Sequence, residues 1–204
     1  MTALGRHWAF NLVNDPKRLA FVLARYAFAA RTATAGRSVL ELGCSEGIGA
    51  PLLAERASSY TGVDLDEDGI RTARANWPEY EFHEMDFLGQ SIGCFGSIVS
   101  LDVIEHIQPE HEGLFFRTVA DNLADDGVCV IGTPNLSASA YASPLSQEGH
   151  VNLYDAARLA ESMNGVFHTV LSFGMNDETL HTGYAPMSHY LLVLGCFKRQ
   201  ELLW

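Results

Sequence analysis

The chain is predicted to form an α/β fold: a mostly parallel sheet with helices on both faces and an antiparallel strand at one edge. Three observations predict it. From Ser38 onward, short apolar runs alternate with helical segments, as strands buried on both faces do. The turn Gly43-Cys44-Ser45-Glu46-Gly47 joins the first such run to a helix, a junction typical of parallel sheets. The last two runs, 166–173 and 189–197, have no long helix between them and are expected to pair antiparallel.

The elements follow in order. Residues 16–32, rich in Ala, Leu and Phe, read as a helix with Asp15 as N-cap and Pro16 at its first position. Next come strand 38–42, helix 47–56, strand 60–64, helix 66–75 and strand 80–85. Strand 96–101, helix 110–123 and the buried strand 128–133 complete the central part. Residues 134–151 read as loop, being rich in Ser, Ala and Pro, and 154–163 as a helix. Trp77 and Trp204 read as packing residues. The organisation expected is one domain over 1–204: a helical cover (1–35), a binding core (36–135), and substrate-side loops with terminal strands (136–204).

Composition restricts the partners. A chain of 204 residues with 48% hydrophobic content can bury a full core. Its formal net charge of -12 repels phosphate backbones and anionic lipid, so neither nucleic acid nor membrane is an expected partner. No apolar run is long enough to span a bilayer, and no charged-then-apolar leader opens the chain. Cys44, Cys94, Cys129 and Cys196 are scattered and read as reduced thiols of a cytoplasmic protein.

Ligands of such sheets bind beyond the carboxyl ends of the strands, near the point where strand order reverses. Gly43 and Gly47 let the backbone pass close to a ligand there, though a glycine loop alone also serves tight turns. Three acids add to it. Glu41 precedes the loop. Asp64 ends the second strand, where a carboxylate can accept both hydroxyls of a ribose. Asp86, in Met85-Asp86-Phe87, follows the third strand, where an acid and an aromatic can flank an adenine. Each acid alone reads as a polar strand end; the ordered set Glu41, Gly43, Gly47, Asp64 and Asp86 is far less expected by chance.

VLELGCSEGIG, GVDLDEDGI, MDF, SLDVIEHI and DDGVCVIGTPN resemble, in order, the motifs of class I S-adenosylmethionine-dependent methyltransferases, with their Rossmann-like fold. The resemblance spans about Val39 to Asn135. It implies S-adenosylmethionine as cofactor, with Gly43 and Gly47 lining its methionine part and Glu41 holding the loop and the amino group. It implies Asp64 on the ribose, Asp86 and Phe87 at the adenine, and Leu65 and Leu101 as walls. Ser45 departs from the family's middle glycine.

A second constellation is Leu101-Asp102-Val103-Ile104-Glu105-His106. Read as a helical turn, Asp102, Glu105 and His106 share one face at the same edge, and His150 follows in the long loop. These four could bind a divalent cation, Mg²⁺ by default and Mn²⁺ as an alternative. Equally, Glu105 could be solvated and His106 or His150 a general base without metal. The order acid-x-x-Glu-His with a downstream histidine is similar to the metal site of plant small-RNA 2′-O-methyltransferases. Residues 137–152 and 174–190 resemble bacterial methyltransferases of polysaccharide biosynthesis. That resemblance implies a sugar or glycan-precursor hydroxyl as acceptor, a small molecule or oligosaccharide. A metal-independent small-molecule methyltransferase and a non-catalytic binding subunit remain the alternatives, and a homodimer is compatible. Residues 173–184 could form a lid, and 8–14 a cover over the cofactor.

Overall fold

The structure, a computed structural model, describes residues 4–203; Trp204 lies outside them. Its strands are β1 (Ser38–Leu42), β2 (Ser59–Asp64), β3 (Glu81–Glu84), β4 (Phe95–Leu101), β5 (Leu123–Pro134), β6 (Phe167–Asn176), β7 (Thr179–His181) and β8 (Tyr190–Lys198). They form one sheet in the order β3-β2-β1-β4-β5-β8-β6-β7. The first five run parallel, while β8 lies antiparallel between β5 and β6. The expected mostly parallel sheet with antiparallel edge strands is what forms.

The helices are α1 (Arg6–Asn14), α2 (Pro16–Ala33), α3 (Ala50–Ala54), α4 (Glu67–Asn76), α5 (Glu112–Asn122), α6 (Pro144–Gly149) and α7 (Ala156–Asn164). Strand side chains alternate between two cores, as the period of two requires. Val39, Val99, Val130 and Leu192 face α2, α3 and α4, meeting Val22, Leu53 and Ile70. Leu40, Ile98, Ile131 and Val193 face α5 and α7, meeting Phe115, Phe116, Leu159 and Met163. Each such fully buried side chain contributes roughly 1.5–3 kcal/mol by leaving water. Trp77 packs against the first core.

Several boundaries differ from the expected ones for local reasons. The helix expected over 47–56 starts only at Ala50, because Gly47 has φ 71° and Pro51 fixes the helical entry. Asp15 precedes α2 with Pro16 at the first position, but its side chain makes no capping bond. Its backbone instead closes α1, donating to the Asn11 carbonyl at 2.8 Å. The 134–151 loop contains a 3-10 turn, Leu136–Tyr141, and α6, whose N-cap Ser143 accepts from the Ser146 amide. The span read as a lid is largely a hairpin, with β7 paired on β6 and Asp177 at the turn with φ 53°.

Candidate active site

Strand order reverses between β1 and β4, so the crevice opens between their carboxyl ends. The β1 loop is anchored there: the amides of Gly43 and Cys44 both donate to the Val63 carbonyl, at 2.8 and 3.1 Å. The Ser45 amide donates to one Asp64 oxygen at 2.8 Å, and the Asp66 amide to the other at 2.9 Å. A carboxylate offers about four acceptor sites, so Asp64 orders the loop and keeps capacity for two hydroxyls. Ser45 itself has φ 47°, a left-handed conformation that its short side chain tolerates at modest cost.

Gly43 has φ 83°, and a Cβ there would collide with Val103 Cγ2. Gly43→Ala is therefore expected to destabilise the fold by roughly 2–4 kcal/mol, combining left-handed strain with overpacking. Denaturant unfolding checks this, and a change below about 0.5 kcal/mol, the range of an ordinary surface substitution, would contradict it. Gly47 serves the back of the turn rather than the crevice: a Cβ would meet Ala73 at 3.0 Å and Phe82 at 3.2 Å.

Three cavities meet at this edge. One, of about 400 Å³, is walled by Gly43, Ser45, Asp64, Leu65, Asp86 and Phe87 among others. Phe87 is buried and stacks edge-on against Phe115 at 6.3 Å. A second, of about 280 Å³, runs under the N-terminal helices and touches Trp8, Arg18, Tyr26, Gly43 and Leu101. The third, of about 850 Å³, lies on the far side, toward Arg18, Arg25, Glu105, His150 and His189. Asp102 and His106 border all three. An acid for a ribose, an acid–aromatic pair for an adenine and a side-chain-free approach at Gly43 fit the nucleoside and its sulfur-bearing arm.

Glu41 is placed behind the loop, fully enclosed, and accepts from the hydroxyls of Tyr26 (2.6 Å) and Tyr60. It thereby links α2 to the sheet beneath the loop. Burial pushes its pKa up to about 7, against the lowering effect of the two phenols. Because folding raises this pKa, the folded state holds the extra proton. The stability so gained is full below the ordinary carboxylate range and is lost as pH rises through about 7. Glu41→Gln is expected to flatten the stability profile between about pH 4.5 and 7, by on the order of 3 kcal/mol across that window. Melting curves at stepped pH test it; parallel profiles for both proteins would contradict it.

The segment after β4 is not the helical turn its spacing suggested. Asp102 adopts φ 59°, and only Ile104–His106 forms a short 3-10 turn. Asp102 therefore points toward α2, where Arg25 Nη1 holds both its oxygens at 3.0 and 2.8 Å and stacks 3.6 Å above the Tyr190 ring. Glu105, His106 and His150 do come together, their ligand atoms all within 4.8 Å of one another. Among the described residues, Asp102 does not join that set.

The three are unequal in environment. Glu105 is fully buried; Thr133 donates to one of its oxygens at 2.9 Å, while the other has no hydrogen-bond partner. Burial first, and the Asp102 charge second, push its pKa up to about 8. The His106 Nδ1 lies 2.9 Å from the Gly149 carbonyl. A carbonyl only accepts, so Nδ1 carries a proton, and in the neutral ring Nε2 keeps its lone pair. His150 stands edge-on to His106, ring centres 5.0 Å apart. Burial, with the neighbouring His106, lowers its pKa and favours the neutral ring. An orphaned carboxylate oxygen beside two imidazole lone pairs fits a divalent cation.

A family model described as a methyltransferase domain matches residues 14–166. A probable S-adenosylmethionine-dependent methyltransferase of Mycolicibacterium smegmatis is 32% identical over 152 residues, covering 66% of this chain and 56% of the relative. A ubiquinone biosynthesis O-methyltransferase of Caulobacter vibrioides is 30% identical over 143 residues, covering 64% and 56%. The chain thus spans little more than half the length of these relatives. In fold it is similar to a TehB-like S-adenosylmethionine-dependent methyltransferase from Corynebacterium glutamicum, with TM-score 0.69, 18% identity, and 95% and 100% of the two chains covered. Among the described residues, no helix is long and apolar enough to cross a membrane. The chain belongs to the methyltransferase-domain family and has the class I S-adenosylmethionine-dependent methyltransferase fold.

Proposed function

We propose that the protein transfers a methyl group from S-adenosylmethionine to a hydroxyl of a sugar or glycan-precursor acceptor, assisted by a divalent cation. The observation that carries this reading is the Glu105–His106–His150 cluster beside the cofactor crevice. His106 borders both the crevice and the larger cavity, so an acceptor oxygen there would lie between the cluster and the cofactor. The relative named for O-methylation in ubiquinone biosynthesis supports a hydroxyl acceptor.

The cofactor supplies an electrophilic methyl on its own leaving group, so the chain needs no covalent nucleophile. A cation on Glu105, His106 and His150 would lower the pKa of a hydroxyl bound to it; Mg²⁺ is the default from cell abundance, and the imidazoles also suit Mn²⁺. Asp64 would hold the ribose, and Asp86 with Phe87 the adenine. Arg25 fixes Asp102 between the cavities, narrowing the orientations open to an acceptor. Hydroxyl-bearing side chains of the outer wall, Ser139, Ser143, Ser146 and Tyr141, suit a polyol. The chain's acidic charge disfavours nucleic acid and anionic membrane as partners.

A second reading uses the same geometry without metal. The His106 Nδ1–Gly149 bond leaves Nε2 free to accept the hydroxyl proton. Either reading is tested with labelled S-adenosylmethionine, Mg²⁺ and a panel of mono- and oligosaccharides, catechols and amines. Label is expected on vicinal diols; label confined to amines would contradict hydroxyl transfer.

A further inference from the structure

We propose that Glu112, acting through Arg158 and Asn152, is a positioning residue that fixes His150 opposite Glu105 and His106. The proposal rests on the metal-site reading above. His150 closes α6, its amide donating to the Ser146 carbonyl at 2.9 Å, and the chain from there to α7 is irregular. That stretch is held by a compact polar network.

Glu112 opens α5, where free amides favour a carboxylate. One of its oxygens accepts from Ser162 Oγ at 2.7 Å. The other accepts from Arg158 Nη2 and, at 3.4 Å, from Asn152 Nδ2. Arg158 also donates to Asn152 Oδ1 and to the Leu153 carbonyl, each at 2.7 Å, and lies 4.1 Å over the Tyr154 ring. Asn152 Nδ2 donates to the Tyr154 hydroxyl at 2.9 Å. Asn152 and Tyr154 are buried. Burial alone would raise the Glu112 pKa, but Ser162, Tyr154 and the Arg158 charge outweigh it and hold the carboxylate ionised.

The network's output is directed at the site. The Asn152 amide donates to the Glu105 carbonyl at 3.0 Å, and the Gly149 carbonyl accepts from His106 Nδ1 at 2.9 Å. One short stretch, 149–152, is thus pinned to two of the three cluster residues and carries the third. Glu112, Arg158 and Asn152 do not border the 850 Å³ cavity, so they act on an acceptor only through what they hold.

The test compares wild type, Glu112→Ala, Glu112→Gln and His150→Ala. Three quantities are read: Mn²⁺ affinity by electron paramagnetic resonance, S-adenosylhomocysteine affinity by calorimetry, and amide exchange at Asn152. Glu112→Ala is expected to weaken Mn²⁺ binding about 10- to 100-fold and to speed exchange at Asn152. S-adenosylhomocysteine affinity should stay unchanged. Glu112→Gln, which keeps an acceptor toward Asn152 and Arg158, is expected to recover most of the loss. Unchanged Mn²⁺ affinity with unchanged exchange in Glu112→Ala would overturn the proposal. If wild type and His150→Ala alike bind no Mn²⁺, the metal reading fails instead. Amide exchange then decides the positioning role: faster exchange at Asn152 supports it and unchanged exchange overturns it.

Discussion

Asp64→Ala is expected to weaken S-adenosylhomocysteine binding by at least about 100-fold, close to 3 kcal/mol. Two charge-assisted bonds to ribose hydroxyls are worth about 1.5–3 kcal/mol each. The substitution also frees the amides of Ser45 and Asp66, which Asp64 holds at 2.8 and 2.9 Å, so the loop keeps only its Gly43 and Cys44 bonds to the Val63 carbonyl as anchors. Asp64→Asn keeps one acceptor oxygen and should fall between the two. Calorimetry measures all three, with a melting curve to show that each variant is folded. Binding within about threefold of wild type in a folded Asp64→Ala protein, a change under about 0.7 kcal/mol, would remove the crevice as the nucleoside site.

Glu105→Gln and His150→Ala are expected to lower turnover by on the order of 10³-fold while leaving S-adenosylhomocysteine affinity within about twofold. Glu105 reaches the cluster from beneath: its Thr133 bond fixes one oxygen and leaves the other bare. Glutamine can still accept from Thr133, yet it would bring no negative charge to a cation bound there. His150 borders the large cavity and not the 400 Å³ crevice, so its loss should not reach the nucleoside. Initial rates at saturating cofactor, with the best acceptor from the panel, give the comparison. Near-normal turnover in both variants would sink the cluster as the reacting centre.

Much of this was legible from residue order. The alternation of short apolar runs with helical segments predicts the mostly parallel sheet, and Asp64 and Asp86 fall at strand ends beside the crevice because parallel strands all deliver their carboxyl termini to one edge. The Asp102–His106 spacing suits one helical face, but Asp102 has φ 59° and breaks that face. Spacing carries no information about a left-handed residue, nor about Arg25, 77 positions away, which takes up the Asp102 carboxylate. The family resemblance implies that Glu41 holds both the loop and the cofactor's amino group, and the structure places it behind the loop. Its partners Tyr26 and Tyr60 come from α2 and β2, and only the tertiary fold brings them to it. Helix α6 has its own sequence signal, Ser143-Pro144, an N-cap followed by a first-turn proline, set within a stretch whose Ser, Ala and Pro content reads as loop. The Glu112 network was invisible, since its members lie 40 to 50 residues apart in sequence.

The most direct measurement of the central claim is methyl transfer by enzyme stripped of metal with a chelator, assayed on the best hydroxyl acceptor before and after Mg²⁺ or Mn²⁺ is restored. The account predicts that transfer drops to about 1% or less without metal and returns on addition of either ion, while S-adenosylhomocysteine binding is the same throughout. Full activity in demonstrably metal-free enzyme would contradict it and leave His106 as the base.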